Sequence, residues 1–311
     1  MLRTLFACLA AALATGCNVI LGLDGLVADR EPGDAGGGGG AGTGGAAESS
    51  SGSASGPCAG VCGTPGCGAC PVVDVVVVAA PAGTFTIDKY EVDNASYNAF
   101  LAQSPSPSLA PAACADNTSY IPGELTELGL TATDIAEANA NCGEWNMFHR
   151  EDDKPVACVD WCDAAAYCAW AGKRLCGDFA GGGYVIEMPG AHADPAVSEW
   201  FAACIGPSAT AFPYGSNYDD TVCSDDNGGP EPVGAYPLCE GGYPGIYDMS
   251  GNVAEWDNAC SDYNNPDWNQ NCLLRGGTWY QTGAEAQCDA YRDVPRYNMA
   301  DSVGIRCCSG G

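Results

Sequence analysis

Apolar positions along this chain follow three spacings, each predicting a different kind of segment. Val72 to Ala79 is a β-branched run closed by Pro81-Ala-Gly, which predicts a strand and a turn. Thr84 to Ile87 predicts a second strand, giving an antiparallel start. Asn94 to Leu101 places Tyr97, Phe100 and Leu101 on one face of a short capped helix, which Ser104 to Pro111 breaks. Asp160 to Ala171 predicts another helix, with alanines, Tyr167 and Trp170 as its buried stripe and Gly172 at its end. Beyond it, Gly, Pro, Asn and Asp recur so often that short strands joined by long ordered loops are expected.

The N-terminal region has a different pattern. Arg3 precedes a short apolar run from Leu5 to Leu13, and Ala14-Thr15-Gly16 brings small residues up to Cys17. This resembles a lipobox, although Leu13 lies four residues before Cys17 where three is usual. Residues 1–16 are therefore expected to be a lipoprotein signal peptide, with Cys17 the diacylated lipid anchor. Ordinary secretory cleavage nearby is the alternative. Asn18 after Cys17 favours the outer membrane or cell surface over inner-membrane retention. Residues 17–57 form a Gly/Ala/Ser-rich tether with no aromatic residue from Asp29 onward, a composition that cannot build a core. Cys58, Cys62, Cys67 and Cys70 follow in the segment 58–70; the spacing admits a tetrahedral zinc site or two disulfides, and an exported chain favours the disulfides. Residues 71–308 are expected to be one large domain.

Composition narrows the partners. Eleven Lys and Arg against 39 Asp and Glu give a formal charge of −28, which repels nucleic acid and anionic lipid surfaces. Hard divalent cations remain compatible with so many carboxylates, as does a merely solvated acidic surface. Twenty cysteines suit an oxidising, cell-envelope compartment. Setting aside Cys8 in the signal and Cys17 as anchor leaves 18, an even number that allows nine bridges.

Four segments in order resemble the formylglycine-generating enzyme, or sulfatase-modifying factor, family. They are Phe85 to Tyr97, Pro155 to Leu175, Gly245 to Trp256 (with Gly251-Asn-Val-Ala-Glu-Trp256 the most specific), and Leu274-Arg-Gly-Gly-Thr-Trp279 joined to Val303-Gly-Ile-Arg-Cys307. The resemblance implies an α+β, C-type-lectin-like fold, loop-rich and disulfide-stapled. It implies structural calcium near Asn252, Val253 and Glu255, whose amide, carbonyl and carboxylate oxygens suit that ion. Asp225, Asp226 and Asn227 are candidates for a second site. By the same resemblance Cys168 pairs with Cys307 and Cys204 with Cys288, each bridge stabilising by about 4 kcal/mol on the chain-entropy account. Arg275, Trp279, Tyr280 and Gln281 fall beside the family's substrate groove. The glycines after Arg275 are expected to allow close approach or positive φ, and Arg275 to meet a buried carboxylate.

The resemblance also exposes a gap. Catalytic members hold copper(I) between two cysteines shortly after the Arg-Gly-Gly-Ser segment, because soft thiolates suit that ion. From Leu273 to Gln287 this chain has no cysteine, and Gln281 stands where the first copper ligand is expected. With His149 and His192 its only histidines, a multi-histidine iron or zinc site is excluded. Three readings follow. The favoured one is a non-catalytic domain binding a protein, peptide or glycan; the others are an oxidoreductase acting on cysteine of exported sulfatase-like substrates through a rearranged thiol site, and a calcium-stabilised structural protein.

Overall fold

The computed structural model describes residues 57–125, 130–143, 150–223, 228–261 and 270–310. The first hairpin pairs β1 (Val75–Ala80) with β2 (Gly83–Asp88) in antiparallel register, Val75 opposite Asp88 and Ala80 opposite Gly83. Alternation sends Val78, Phe85 and Ile87 into the core and leaves Val75 and Val77 outside. The strand starts three residues later than the β-branched run predicts. β2 ends at Asp88, so residues 72–74 have no partner in the ladder, and Val72 is fully exposed.

α1 spans Asn94–Leu101 because the Asp93 carboxylate accepts from the Ser96 N–H at 2.7 Å, satisfying a donor that the first turn leaves free. α2 covers Ala132–Cys142. α3, Trp161–Trp170, is held by a reciprocal capping box between Asp160 and Asp163, and Gly172 at φ +72° turns the chain out of it. The aromatic stripes of α1 and α3 interlock. Tyr97 stacks on Tyr167 at 5.5 Å, Phe100 meets Tyr167 and Trp170 edgewise or tilted, and the Tyr97 hydroxyl donates to the Tyr120 carbonyl at 2.8 Å.

The remaining elements are short, as the frequency of turn residues predicts. They are β3 (Arg174–Leu175), β4 (Tyr184–Val185), α4 (Glu199–Ile205), β5 (Ala254–Cys260), β6 (Asn271–Arg275), β7 (Tyr291–Pro295), β8 (Val303–Gly304) and β9 (Cys307–Ser309). One sheet has the order β1-β2-β9-β3; a second has β4-β5-β6-β7, with β8 pairing β5. Placing β9 between β2 and β3 draws the C-terminus into the first sheet, so the domain closes only when its last strand is present.

All eighteen cysteines among the described residues are in disulfides. Cys58–Cys67 and Cys62–Cys70 form a clasp whose buried half packs in the main core, where the Cys62 N–H donates to the Trp170 carbonyl at 2.8 Å. The segment 58–70 is thus bonded to the domain that follows it. Cys168–Cys307 and Cys204–Cys288 tie α3 to β9, and α4 to the chain before β7. Cys114–Cys162, Cys142–Cys158, Cys176–Cys308, Cys223–Cys239 and Cys260–Cys272 complete the set.

Candidate functional site

The second sheet and the loop leaving β6 build a groove of 430 Å³. Ala254 of β5 and Leu274 of β6 supply its floor, Gln281 to Glu285 one side, and Asp289 to Arg292 the other. The loop can take this path because Gly276 and Gly277 adopt φ of +87° and +74°. A Cβ at Gly277 would lie 2.9 Å from the Glu285 carbonyl, so no larger residue fits without displacing that wall. Two backbone bonds pin the loop to the Gly251-to-Trp256 segment: Gly251 N–H to the Gly276 carbonyl at 2.8 Å, and Trp279 N–H to the Asn252 carbonyl at 2.7 Å.

Polar groups dominate the rim. Glu285, Asp289 and Tyr291 are exposed, and one terminal nitrogen of Arg292, Nη2, is shielded from solvent without a protein acceptor. Tyr280 is exposed just beyond Gln281, with Trp279 edge-on to it at 4.9 Å. Of the residues expected at the groove, Gln281 lines it, and Trp279 and Tyr280 flank it. Arg275 does not. It is buried on the opposite side of β6 from Leu274, where its Nη2 donates to the His192 and Cys288 carbonyls and its guanidinium lies 4.9 Å from the Trp200 ring. Its bonds go to carbonyls and not to the expected carboxylate. Asp257 is the nearby acid that feels its charge: burial pushes this carboxyl up to about 6, while Arg275 pulls the other way and Tyr184 donates to it at 2.8 Å.

The donor chemistry does not fit copper. Gln281 offers an amide at the groove, and every described cysteine is spent in a disulfide, so no thiolate pair faces the cavity. Asn252, Val253 and Glu255, the residues expected near calcium, make hydrogen bonds to protein groups. The Asn252 side-chain oxygen accepts from the Glu231 N–H at 2.9 Å, and its nitrogen donates to Glu91 at 2.5 Å. The Val253 N–H also donates to Glu91. Glu255 accepts from Trp200 Nε1 at 2.6 Å and from Arg306 Nε at 2.8 Å, so its lone pairs are directed at fixed donors. The segment is a buried polar junction. Three acids, Glu91, Asp248 and Glu255, surround Arg306; burial first and neighbouring negative charge second hold Glu91 well above the usual carboxylate range, and Asp248 is raised to about 6. Asp225, Asp226 and Asn227, expected at a second cation site, and Cys17, expected as a lipid anchor, lie outside the described residues.

Sequence reasoning missed Glu285, Asp289 and Arg292 as groove residues. Only their nearness to the Arg275-Gly-Gly segment could have flagged them, because exposed polar loop residues carry no periodicity.

The family of the Sulfatase-modifying factor enzyme 1-like domain matches residues 76–310. The inactive C-alpha-formylglycine-generating enzyme 2 of Bos taurus is 31% identical over 175 residues, 50% of this chain and 50% of that protein. The formylglycine-generating enzyme of the same species is 29% identical over 204 residues, 55% of this chain and 48% of that one. This chain thus spans about half the length of the curated relatives it matches. Among solved structures, PvdO from Pseudomonas aeruginosa aligns with a TM-score of 0.46 at 18% identity, covering 77% of this chain and 92% of its own.

Proposed function

Because this chain belongs to the Sulfatase-modifying factor enzyme 1-like family, we propose that it is a non-catalytic member. In this reading it is an exported, lipid-anchored domain that holds a protein, peptide or glycan ligand in the groove between Gln281 and Arg292. The observation that carries the reading is the loss of the thiolate pair: Gln281 lines the cavity, and the described cysteines are all bridged. Without a soft, redox-active site the groove retains shape and hydrogen-bonding groups, which suffice for recognition but not for oxidising a cysteine. The inactive relative in Bos taurus supports the same direction.

The lipobox-like run before Cys17 and the acidic, cysteine-rich composition support a cell-envelope location with the domain held off the membrane by its tether. Nucleic acid is not a partner of this reading, since a charge of −28 opposes it. The test is alkylation of the native chain without reduction, followed by peptide mass spectrometry and copper(I) titration. The reading expects no labelled cysteine within the domain and no stoichiometric copper. Two labelled cysteines close in the fold, with tight copper binding, would replace it with an oxidoreductase.

A further inference from the structure

The chain has three lysines, and each pairs with a carboxylate. Lys89 meets Asp74 at 3.8 Å and Lys154 meets Glu151 at 3.9 Å, and these acids are 73% and 56% exposed. Water screens such pairs and hydrates both partners. The third pair differs. Lys173 Nζ lies directly against Asp88 Oδ1, and the two side chains are 14% and 2% exposed. Asp88 ends β2 and Lys173 stands in the turn between α3 and β3, so the contact spans β9, which lies between β2 and β3. Both backbones are fixed. The Lys173 N–H donates to the Cys168 carbonyl at 2.8 Å, and the Asp88 carbonyl accepts from Arg306 Nη1 at 3.0 Å. Cys168–Cys307 and Cys176–Cys308 hold β9 against the segments on either side of Lys173.

A buried ion pair costs the desolvation of two charges, whereas the amide made from it is neutral. Burial holds the Asp88 carboxyl above its usual range, with Lys173 and Arg306 pulling the other way, which favours a carboxylic acid facing an amine over two buried charges. The Cys307 N–H donates to the same carboxyl and polarises its carbonyl, as donors do in acyl transfer. We propose that Asp88 and Lys173 condense into an intramolecular isopeptide bond. The ammonium gives one proton to the carboxylate. Lys173 Nζ then attacks Asp88 Cγ; a C–N bond forms, the Cγ–OH bond breaks, and the hydroxyl leaves as water with a second proton from the amine. No electron is gained or lost, and no co-reactant is needed. The fixed fold supplies the effective concentration that a free amine and acid lack. Lys173 borders a depression of 210 Å³ with Trp161, Leu175 and Asn258, which gives the released water a way out. The neighbouring Arg174 is engaged with Glu199 and competes for neither group.

The test is a peptide map of the full chain, purified in its native state and then reduced, alkylated and digested. A branched peptide joining the segments that hold Asp88 and Lys173, lighter than their sum by one water, is expected in place of the two linear ones. Trypsin should leave the chain uncut after Lys173, and an amine reagent applied under denaturing conditions should label Lys89 and Lys154 but not Lys173. On a denaturing gel the reduced chain should run ahead of Lys173→Arg, because the bond closes a separation of 85 residues that no reductant opens. Lys173→Arg keeps the positive charge, but its guanidinium stays protonated and does not condense. Two linear peptides in full yield, with Lys173 labelled, overturn the proposal and leave an ordinary buried ion pair. A branch from Lys173 to any other carboxylate overturns it too. The peptide map of the unaltered chain decides the matter even where the variant fails to fold.

Discussion

Arg306 and Glu255 form an ion pair of 2.7 Å at the centre of the domain, with the two side chains 0% and 1% exposed. The guanidinium also donates to the Asp88 and Tyr247 carbonyls, joining the first hairpin, the segment before β5 and the approach to β9. Removing one partner leaves the other charged and desolvated. Arg306→Met is therefore expected to destabilise the domain by about 3–5 kcal/mol, read as a lowered midpoint in urea. The double change Arg306→Met, Glu255→Gln should recover part of that loss, and a double change as damaging as the sum of the single ones would show the pair to be uncoupled.

Asp248 and Asp257 are both pushed to about 6 by burial. A carboxyl whose folded pKa lies above its unfolded value binds its proton more tightly when folded. Its burial therefore costs nothing below about pH 4, and the cost grows as pH rises towards 6 and then levels off. For Asp257, a rise of about two units corresponds to a cost on the order of 3 kcal/mol at neutral pH. The melting temperature should accordingly rise on going from pH 7.5 to 5, and Asp257→Asn should flatten that slope. A native protein that loses stability steadily over this range would contradict the assignment.

Cys204–Cys288 closes a separation of 84 residues and anchors the chain just before β7. The double variant Cys204→Ala, Cys288→Ala is expected to lose about 4 kcal/mol by the chain-entropy account. Because Asp289 follows the bridge directly, ligand binding in the groove should weaken even at temperatures where the variant remains folded. Thermal unfolding by calorimetry and a binding titration with the groove ligand read the two effects separately.

Gly277→Ala tests the wall of the groove. At φ +74°, with a carbonyl 2.9 Å from the new Cβ, the substitution should destabilise by about 1–2 kcal/mol. It should shift the Gln281-to-Glu285 loop enough to alter ligand affinity. A fully stable variant with unchanged binding would show that the wall yields freely.

Much of the scaffold was readable because local signals agreed with one another. The regular spacings of Tyr97, Phe100 and Leu101, and of the alanines, Tyr167 and Trp170, gave α1 and α3 nearly to the residue, and Asp93 and Asp160 cap them in the structure. The pairings of Cys168 with Cys307 and Cys204 with Cys288 came from the family resemblance. Spacing alone could not have supplied them, nor the other seven bridges. The partners of the Asn252-to-Glu255 junction, Glu91, Trp200, Glu231 and Arg306, were not legible because all are distant in sequence. Oxygen-bearing residues look the same on paper whether they face a cation or a guanidinium. Arg275 was placed in the groove by proximity to Trp279 and Gln281, whereas strand alternation after Leu274 turns it the other way.

The neighbouring cysteines of β9 carry an implication for how the chain matures. Cys307 lies in one core cluster and Cys308 in another, and they bond to Cys168 and Cys176, which are eight positions apart. A chain oxidised in the order it emerges would present Cys168 and Cys176 to each other long before residues 307 and 308 arrive. Correct maturation therefore calls for thiols kept open until the last strand is available, or for repeated exchange through mixed disulfides over seconds to hours. The last two cysteines act as a checkpoint: a chain truncated before them cannot close the native topology, and a prematurely oxidised one reaches it only through exchange.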